Sequence, residues 1–198
     1  MFRASKRRLM HPRVSCGMAN KKTAPTFPLT IQRFDKAKHD RSRFSCGHTP
    51  INNFLKSSLS DQERLGMVAA YLATPRNETA VLGFYTLGAL AVRADFGPQQ
   101  WHHAHVPDIP VFYIRAVAVR ADKQGKEIGT ALLIDAVLRC LRLSKQMSAA
   151  AIVLDVLGDG QFEQHFRFYA GLGFQPMNDP DNPRRVFIST ADVQRTIG

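Results

Sequence analysis

The chain has 198 residues, enough for one ordinary domain, and its 44% apolar and 22% charged residues are a globular composition, not a disordered one. No apolar run approaches the roughly 18–20 residues of a membrane-spanning helix. Three distant cysteines (Cys16, Cys46, Cys140) without a C-x-x-C spacing argue against a disulfide framework or structural zinc and for a reducing compartment. The formal charge of +11 is concentrated at one end: residues 1–22 hold seven Lys and Arg and no acid, and the remainder holds 20 against 16, a net of +4. The charge therefore says little about the folded part.

Residues 1–28 mix basic side chains with Ser, Pro, Ala and Gly, without an apolar period. They read as a disordered basic tail or as an over-extended start, Met10 and Met18 being alternative first residues; an Arg-rich transit peptide also fits the composition. The domain is expected over 29–198. Leu29–Phe34 is the first strand. A helix is expected over Pro50–Leu65, with Ile51, Phe54, Leu55, Ser58 and Leu59 on one face and Thr49 as its cap. Val68–Ala73 and Ala80–Val92 form a hairpin around Pro75–Arg76–Asn77. Residues 93–110, with three prolines, one glycine and three histidines, are expected to be a loop. Val111–Val119 is a strand buried on both faces.

The clearest helix follows. Ile128, Leu132, Leu133, Ala136, Val137, Cys140 and Leu141 make one wide apolar face, and Asp135 and Arg139 are expected as an ion pair on its other side. Ala150–Val156 is a further buried strand, Gln161–Ala170 a helix closed by Gly171 or Gly173, and Arg185–Ile188 the last strand. A hairpin in the first half and alternating strands and helices in the second predict a mixed α/β domain.

The chemistry is expected where the strand at Val117, Ala118 and Val119 turns through Gln124, Gly125, Lys126 and Glu127 into a helix opening on Ile128, Gly129 and Thr130. The first turn of a helix leaves its N–H groups unsatisfied and carries partial positive charge, which suits a pyrophosphate. Walker A and G-x-G-x-x-G patterns are both missing, which disfavours triphosphatases and dinucleotide enzymes.

This stretch resembles motif A of the GCN5-related N-acetyltransferases (GNAT), Gln/Arg-x-x-Gly-x-Gly/Ala, with Gln124 leading and Gly129 closing. Phe168-Tyr169-Ala170-Gly171-Leu172-Gly173-Phe174 resembles the family's F-Y-x-x-x-G-F. The resemblance implies a GNAT fold: a mixed sheet of six to seven strands, flanking helices, and fourth and fifth strands splayed around the acetyl-CoA arm. It also implies that backbone amides over 117–119 and 124–130 bind acetyl-CoA, and that Tyr169 is the catalytic acid, a role its high ordinary pKa suits. Phe162, Phe166 and Tyr169 also form a helical stripe of the kind that usually packs in a core.

Phe44-Ser45-Cys46-Gly47 with Ile51-Asn52-Asn53-Phe54-Leu55, Leu82-Gly83-Phe84-Tyr85-Thr86-Leu87 and Pro183-Arg184-Arg185-Val186-Phe187-Ile188 are similar to segments of acetyltransferase toxins from bacterial toxin–antitoxin modules. That likeness implies a cytoplasmic enzyme that acetylates the α-amine of aminoacyl-tRNA and blocks translation. It further implies a ribbon-helix-helix antitoxin as partner and no membrane association, and leaves homodimerisation open. The chain departs from the pattern at three places. Asn52 replaces an Asp. Glu127 replaces a glycine within what reads as the helix's first turn, where restoring glycine is expected to cost up to roughly 1 kcal/mol. The family's strand arginine falls on Ala116, and Arg115, one residue off, is expected on the opposite face.

Two other functions stay open: a GNAT acting on a small-molecule or protein amine, and a degenerate, non-catalytic binding module. Arg33, Lys36, Lys38, Arg41 and Arg43 are a candidate contact for an RNA backbone or simply a solvated basic face. Cys46 is expected as a packed residue, and His102, His103 and His105 as solvent-exposed loop residues rather than metal ligands.

Overall fold

The computed structural model describes residues 28–197. The expected basic tail, apart from Pro28, lies outside the described residues. Seven strands form one sheet in the order β1-β2-β3-β4-β5-β7-β6. They are β1 (Leu29–Arg33), β2 (Ala69–Pro75), β3 (Gly83–Arg93), β4 (Asp108–Val119), β5 (Ala151–Asp155), β6 (Gln175–Pro176) and β7 (Arg185–Ser189). Every pairing is antiparallel except β4–β5. The helices are α1 (Thr49–Asn53), α2 (Leu59–Arg64), α3 (Gln99–His102), α4 (Ile128–Leu143), α5 (Phe162–Ala170) and α6 (Thr190–Ile197). This is the mixed α/β sheet the sequence predicts.

One face of the sheet takes α4, whose Ile128, Leu132, Leu133, Ala136 and Cys140 pack on Tyr85, Leu87, Phe112, Ile114, Ile152 and Leu154. Each fully buried Leu or Ile contributes about 1.5–3 kcal/mol, so this stripe anchors the helix. The opposite face carries two separate clusters. Phe44, Leu55 and Leu59 cover Leu72, Phe84 and Ala118, and Trp101 covers Val111, Val153 and Phe187.

Several local expectations need correcting. The first helix is capped by His48 in extended conformation, with Pro50 in its first turn, so Thr49 lies inside it. Between α1 and α2 the chain is π-helical over Phe54–Ser58, where the Leu59 N–H reaches Phe54 O. The extra residue in that turn rotates Ser58 out to solvent while Leu55 and Leu59 stay buried. The segment expected as a loop before β4 contains α3, which buries Trp101, and β4 itself starts earlier, at Asp108. Neither β6 nor α6 was visible in the sequence pattern. Asp135 and Arg139 are paired at 2.8 Å, but they turn toward the sheet: the Tyr85 hydroxyl donates to Asp135 at 2.5 Å, and Arg139 lies 4.1 Å over the Tyr71 ring. Burial together with the neighbouring carboxylate raises the Tyr85 pKa strongly.

Gly83 sets how closely α4 approaches. A Cβ there would lie 2.8 Å from Leu132 Cδ1 and 2.9 Å from the Ala118 carbonyl oxygen. Gly83→Ala is expected to cost about 1–3 kcal/mol through overpacking, read as a lowered thermal midpoint.

Candidate functional site

The turn between β4 and α4 is held from both sides. The Ala121 N–H donates to Ser45 O at 2.8 Å, and Gln124 Nε2 donates to Cys46 O at 3.1 Å and Val119 O at 3.0 Å. The Gln124 carboxamide N–H is thus spent on backbone carbonyls, bolting the 44–47 segment to the turn. Asn52 serves that segment too: its Oδ1 accepts the Cys46 N–H at 2.9 Å, an acceptor role open to a carboxamide as to a carboxylate.

Beyond Gln124 the backbone is left-handed at Gly125 (φ +73°) and again at Glu127 (φ +60°), which is the N-cap of α4. Among the described residues no hydrogen bond uses the N–H of Gly125, Lys126, Glu127, Ile128, Gly129 or Thr130; the first amide taken is that of Ala131, by Glu127 O at 3.0 Å. Successive free amides at a helix N-terminus suit a polyanion. The Glu127 side chain is exposed. Its position is a left-handed cap and not a helical turn, which corrects the expectation that glycine would weaken the helix here. A Cβ on Gly129 would lie 3.7 Å from Val119 Cγ2 and 3.8 Å from Phe168 Cζ, so β4, α4 and α5 converge there.

Below this turn the sheet forks. Val111–Ile114 pair with Ala151–Leu154, but β4 runs on to Val119 without a β5 partner, while the Val156 N–H goes to Arg184 O at 3.0 Å. The Arg120 N–H donates to Leu82 O at 2.8 Å. By strand alternation the Ala118 amide also faces β3, and those of Val117 and Val119 face the open edge.

Arg115 corrects the sequence reading. The β3–β4 register jumps from Thr86↔Ala116 to Leu87↔Ile114, leaving Arg115 in a bulge. Its guanidinium lies 6.0 Å from the Phe54 ring centroid and donates to Gln62 Oε1 at 3.0 Å. Ala116 packs into the cluster beneath the same helices. Both side chains therefore share one face, which strict alternation forbids and a bulge allows. No signal in the sequence marks the bulge.

Tyr169 packs edge-on against Phe168 and Phe174, with ring centroids 5.2 and 6.1 Å away. Among the described residues its hydroxyl makes no hydrogen bond, and burial pushes its pKa up to about 12. Phe162, Phe166 and Tyr169 do pack on the main core. Gly171 caps α5 in helical conformation, and Gly173 supplies the left-handed residue (φ +93°).

The basic cluster is partly spent internally. Arg33 pairs with Glu63, Lys38 with Asp35, and Arg41 donates to Leu55 O at 2.7 Å. Lys36 and Arg43 make no ion pair among the described residues. Cys46 is half-buried, and His102, His103 and His105 are exposed. A set that sequence reasoning missed lies at the foot of the fork: Tyr113, Asp155, Arg185 and Asp179. Its one sequence signal is Asp155, the single charge in an otherwise apolar strand.

No family model matches the chain. It is 28% identical over 173 residues to a probable toxin TacT of Sinorhizobium fredii, covering 85% of this chain and 94% of that protein. It is 24% identical over 159 residues to a tRNA-acetylating toxin of Mycobacterium tuberculosis, covering 80% and 91%. Among solved structures it superposes on AtaT complexed with acetyl-methionyl-tRNA, with a TM-score of 0.77 and 26% identity over 86% of this chain and 99% of AtaT. In sequence and in fold the chain is thus similar to acetyltransferase toxins of toxin–antitoxin modules. AtaT has also been solved with its antitoxin AtaR and acetyl-CoA (TM-score 0.73, 26% identity, covering 86% of this chain and 99% of that one). No described helix is long and apolar enough to cross a membrane.

Glu127 is both a strained cap and a negative charge beside the free amides. Glu127→Gly is expected to stabilise the fold by about 1 kcal/mol, the cost of a left-handed L-residue, and to tighten acetyl-CoA binding. Thermal melting checks the first effect and calorimetric titration at low and high salt the second, since screening should shrink the charge part of the gain.

Proposed function

We propose that the protein transfers the acetyl group of acetyl-CoA to the α-amine of aminoacyl-tRNA and so blocks translation in the cytoplasm, where that substrate lies. The observation that carries this reading is the row of six free amides at the head of an open strand fork. It joins the relationship to a tRNA-acetylating toxin and to AtaT, solved with acetyl-methionyl-tRNA. By analogy with the AtaT–AtaR complex, a small ribbon-helix-helix antitoxin is the expected protein partner.

In this reading acetyl-CoA supplies an activated thioester. The amides of residues 125–130 hold its pyrophosphate, and the open edge of β4 at Val117 and Val119 lines the path of its arm and donates to the acyl oxygen as negative charge develops there. The neutral amine attacks the carbonyl carbon; the carbon–sulfur bond breaks as the amide bond forms. Tyr169 gives its proton to the departing thiolate. A hydroxyl held near pKa 12 by burial stays protonated at neutral pH until a stronger base, the leaving sulfur, arrives beside it. Among the described residues Arg115, Lys36 and Arg43 make no ion pair with a carboxylate, which leaves them available to RNA phosphates.

The deciding experiment incubates the protein with charged tRNA and acetyl-CoA and analyses the released aminoacyl group. N-acetylated amino acid is the expected product. Acetylation only of small amines or proteins points to the other acceptor class, and no transfer at all points to a binding module.

Tyr169→Phe is expected to keep the fold and acetyl-CoA affinity and to lower kcat about 10²-fold; wild-type turnover would return the ring to a purely packing role. The raised Tyr169 pKa also sets a pH trend. The unfolded chain ionises this group near pH 10 and the folded one near 12, so its contribution to stability is complete below about 10 and lost as pH rises through about 12. In Tyr169→Phe the alkaline loss in thermal melts should shrink by this share, while the buried Tyr85 and Tyr113 hydroxyls keep contributing theirs. Deleting residues 1–17 is expected to leave melting and acetyl transfer unchanged, because that segment has no apolar period with which to dock.

A further inference from the structure

We propose that Tyr113, Asp155, Arg185 and Asp179 form a clamp that fixes where β4 and β5 part, and that this sets how deep an acyl group enters the fork, restricting the donor to short acyl chains. The inference rests on the acyl-transfer reading above.

Tyr113 on β4 stands opposite Val153, one step before the last paired residues, Ile114 and Leu154. Its hydroxyl crosses the fork and donates to Asp155 Oδ2 at 2.9 Å. Asp155 is the final residue of β5 and lies opposite Arg185 in the β5–β7 register. Arg185 donates to it twice, from Nε at 2.8 Å and from Nη2 at 3.2 Å, and donates from Nη1 to Asp179 Oδ2 at 2.9 Å. Asp179 is 5% exposed, and its other oxygen accepts the N–H groups of Asp181 and Asn182 at 3.0 and 3.1 Å. The guanidinium fork is thus seated on one buried, internally bonded carboxylate and grips a second.

This arrangement holds the fork from two directions. Asp155 and Val156 are held to β7, through Arg185 and through the Arg184 carbonyl, which fixes the course of β5 where it leaves β4. The Tyr113–Asp155 hydrogen bond resists opening below Leu154. On the β4 side the bulge at Arg115 interrupts the strand at the same level. A donor whose pyrophosphate sits at residues 125–130 enters from the top of the fork, and its acyl end arrives deepest. There it meets Ile114 and Leu154, each 2% exposed, with the Tyr113–Asp155 bond spanning the same level on the opposite face of the sheet. A fixed floor discriminates by length, since each extra methylene in a rigid apolar pocket is worth about 10–200-fold.

The test uses the full chain with acetyl-CoA or butyryl-CoA and the same charged tRNA. Tyr113→Phe keeps the ring and removes the hydrogen bond across the fork. Asp155→Asn keeps an acceptor for Tyr113 and removes the charge that holds Arg185. The wild type is expected to prefer acetyl-CoA by at least about 100-fold in kcat/KM. In both variants this preference is expected to fall about tenfold while KM for tRNA stays within twofold. A simple stability staple would lower the melting temperature and both rates together; an unchanged preference in the folded variants overturns the clamp, as does a wild type that uses both donors equally. A wild type that transfers acetyl but shows either of those results leaves the acetyltransferase reading standing. Failure to transfer any acyl group overturns both readings.

Discussion

Where two parallel strands part, each is left with an edge of N–H and C=O groups that water or a partner must satisfy, and the fork between β4 and β5 is built around that demand. On the β4 side the Val119 carbonyl is taken by Gln124, while β5 leaves the gap still paired to β7 through the Val156 amide. The amides of Val117 and Val119 remain facing the gap. Just above, six more amides stand free at the start of α4. The candidate site therefore combines backbone left over from secondary structure with the Tyr169 hydroxyl, and Gln124 and Asn52 hold the backbone part in place.

Holding the gap open uses interactions of unequal strength. The α4 stripe supplies several buried aliphatic side chains at about 1.5–3 kcal/mol each, which fixes the start of that helix against β3. The clamp is polar. Two carboxylates share its one guanidinium, the Tyr113 hydroxyl and backbone N–H groups supply further hydrogen bonds, and removing one partner of such a set typically costs about 3–5 kcal/mol because a charge is left uncompensated. It is an expensive way to gain stability and a good way to fix geometry. Glu127 runs the other way: a left-handed L-residue costs about 1–2 kcal/mol, tolerated at the one place where the chain must reverse so that consecutive amides converge.

Much of this was legible beforehand because it rests on local pattern. The 3.6-residue period over Ile128–Leu141, the apolar runs of β4 and β5 and the F-Y-x-x-x-G-F segment gave the elements and their order. Elements with a weak period were missed: β6 has two residues, and α3 sits in a segment rich in proline and histidine, where the burial of Trp101 against Phe187 overrides composition. The π-helical turn at Phe54–Ser58 left Ser58 on the wrong face because sequence periodicity assumes a constant repeat.

The sequence by itself determined the class of domain, the strand–turn–helix that carries the free amides and the candidate acid Tyr169, because each depends on residues within a few positions of one another. The tertiary structure alone decided that Gln124 braces the turn, that Glu127 is left-handed, that Arg115 shares a face with Ala116, and that Tyr113, Asp155, Arg185 and Asp179 meet. Each of those depends on a register shift, a backbone sign or a contact between segments distant along the chain. Hydrophobic periodicity carries no information on any of them, since it records which residues leave water and not which groups they meet when they do.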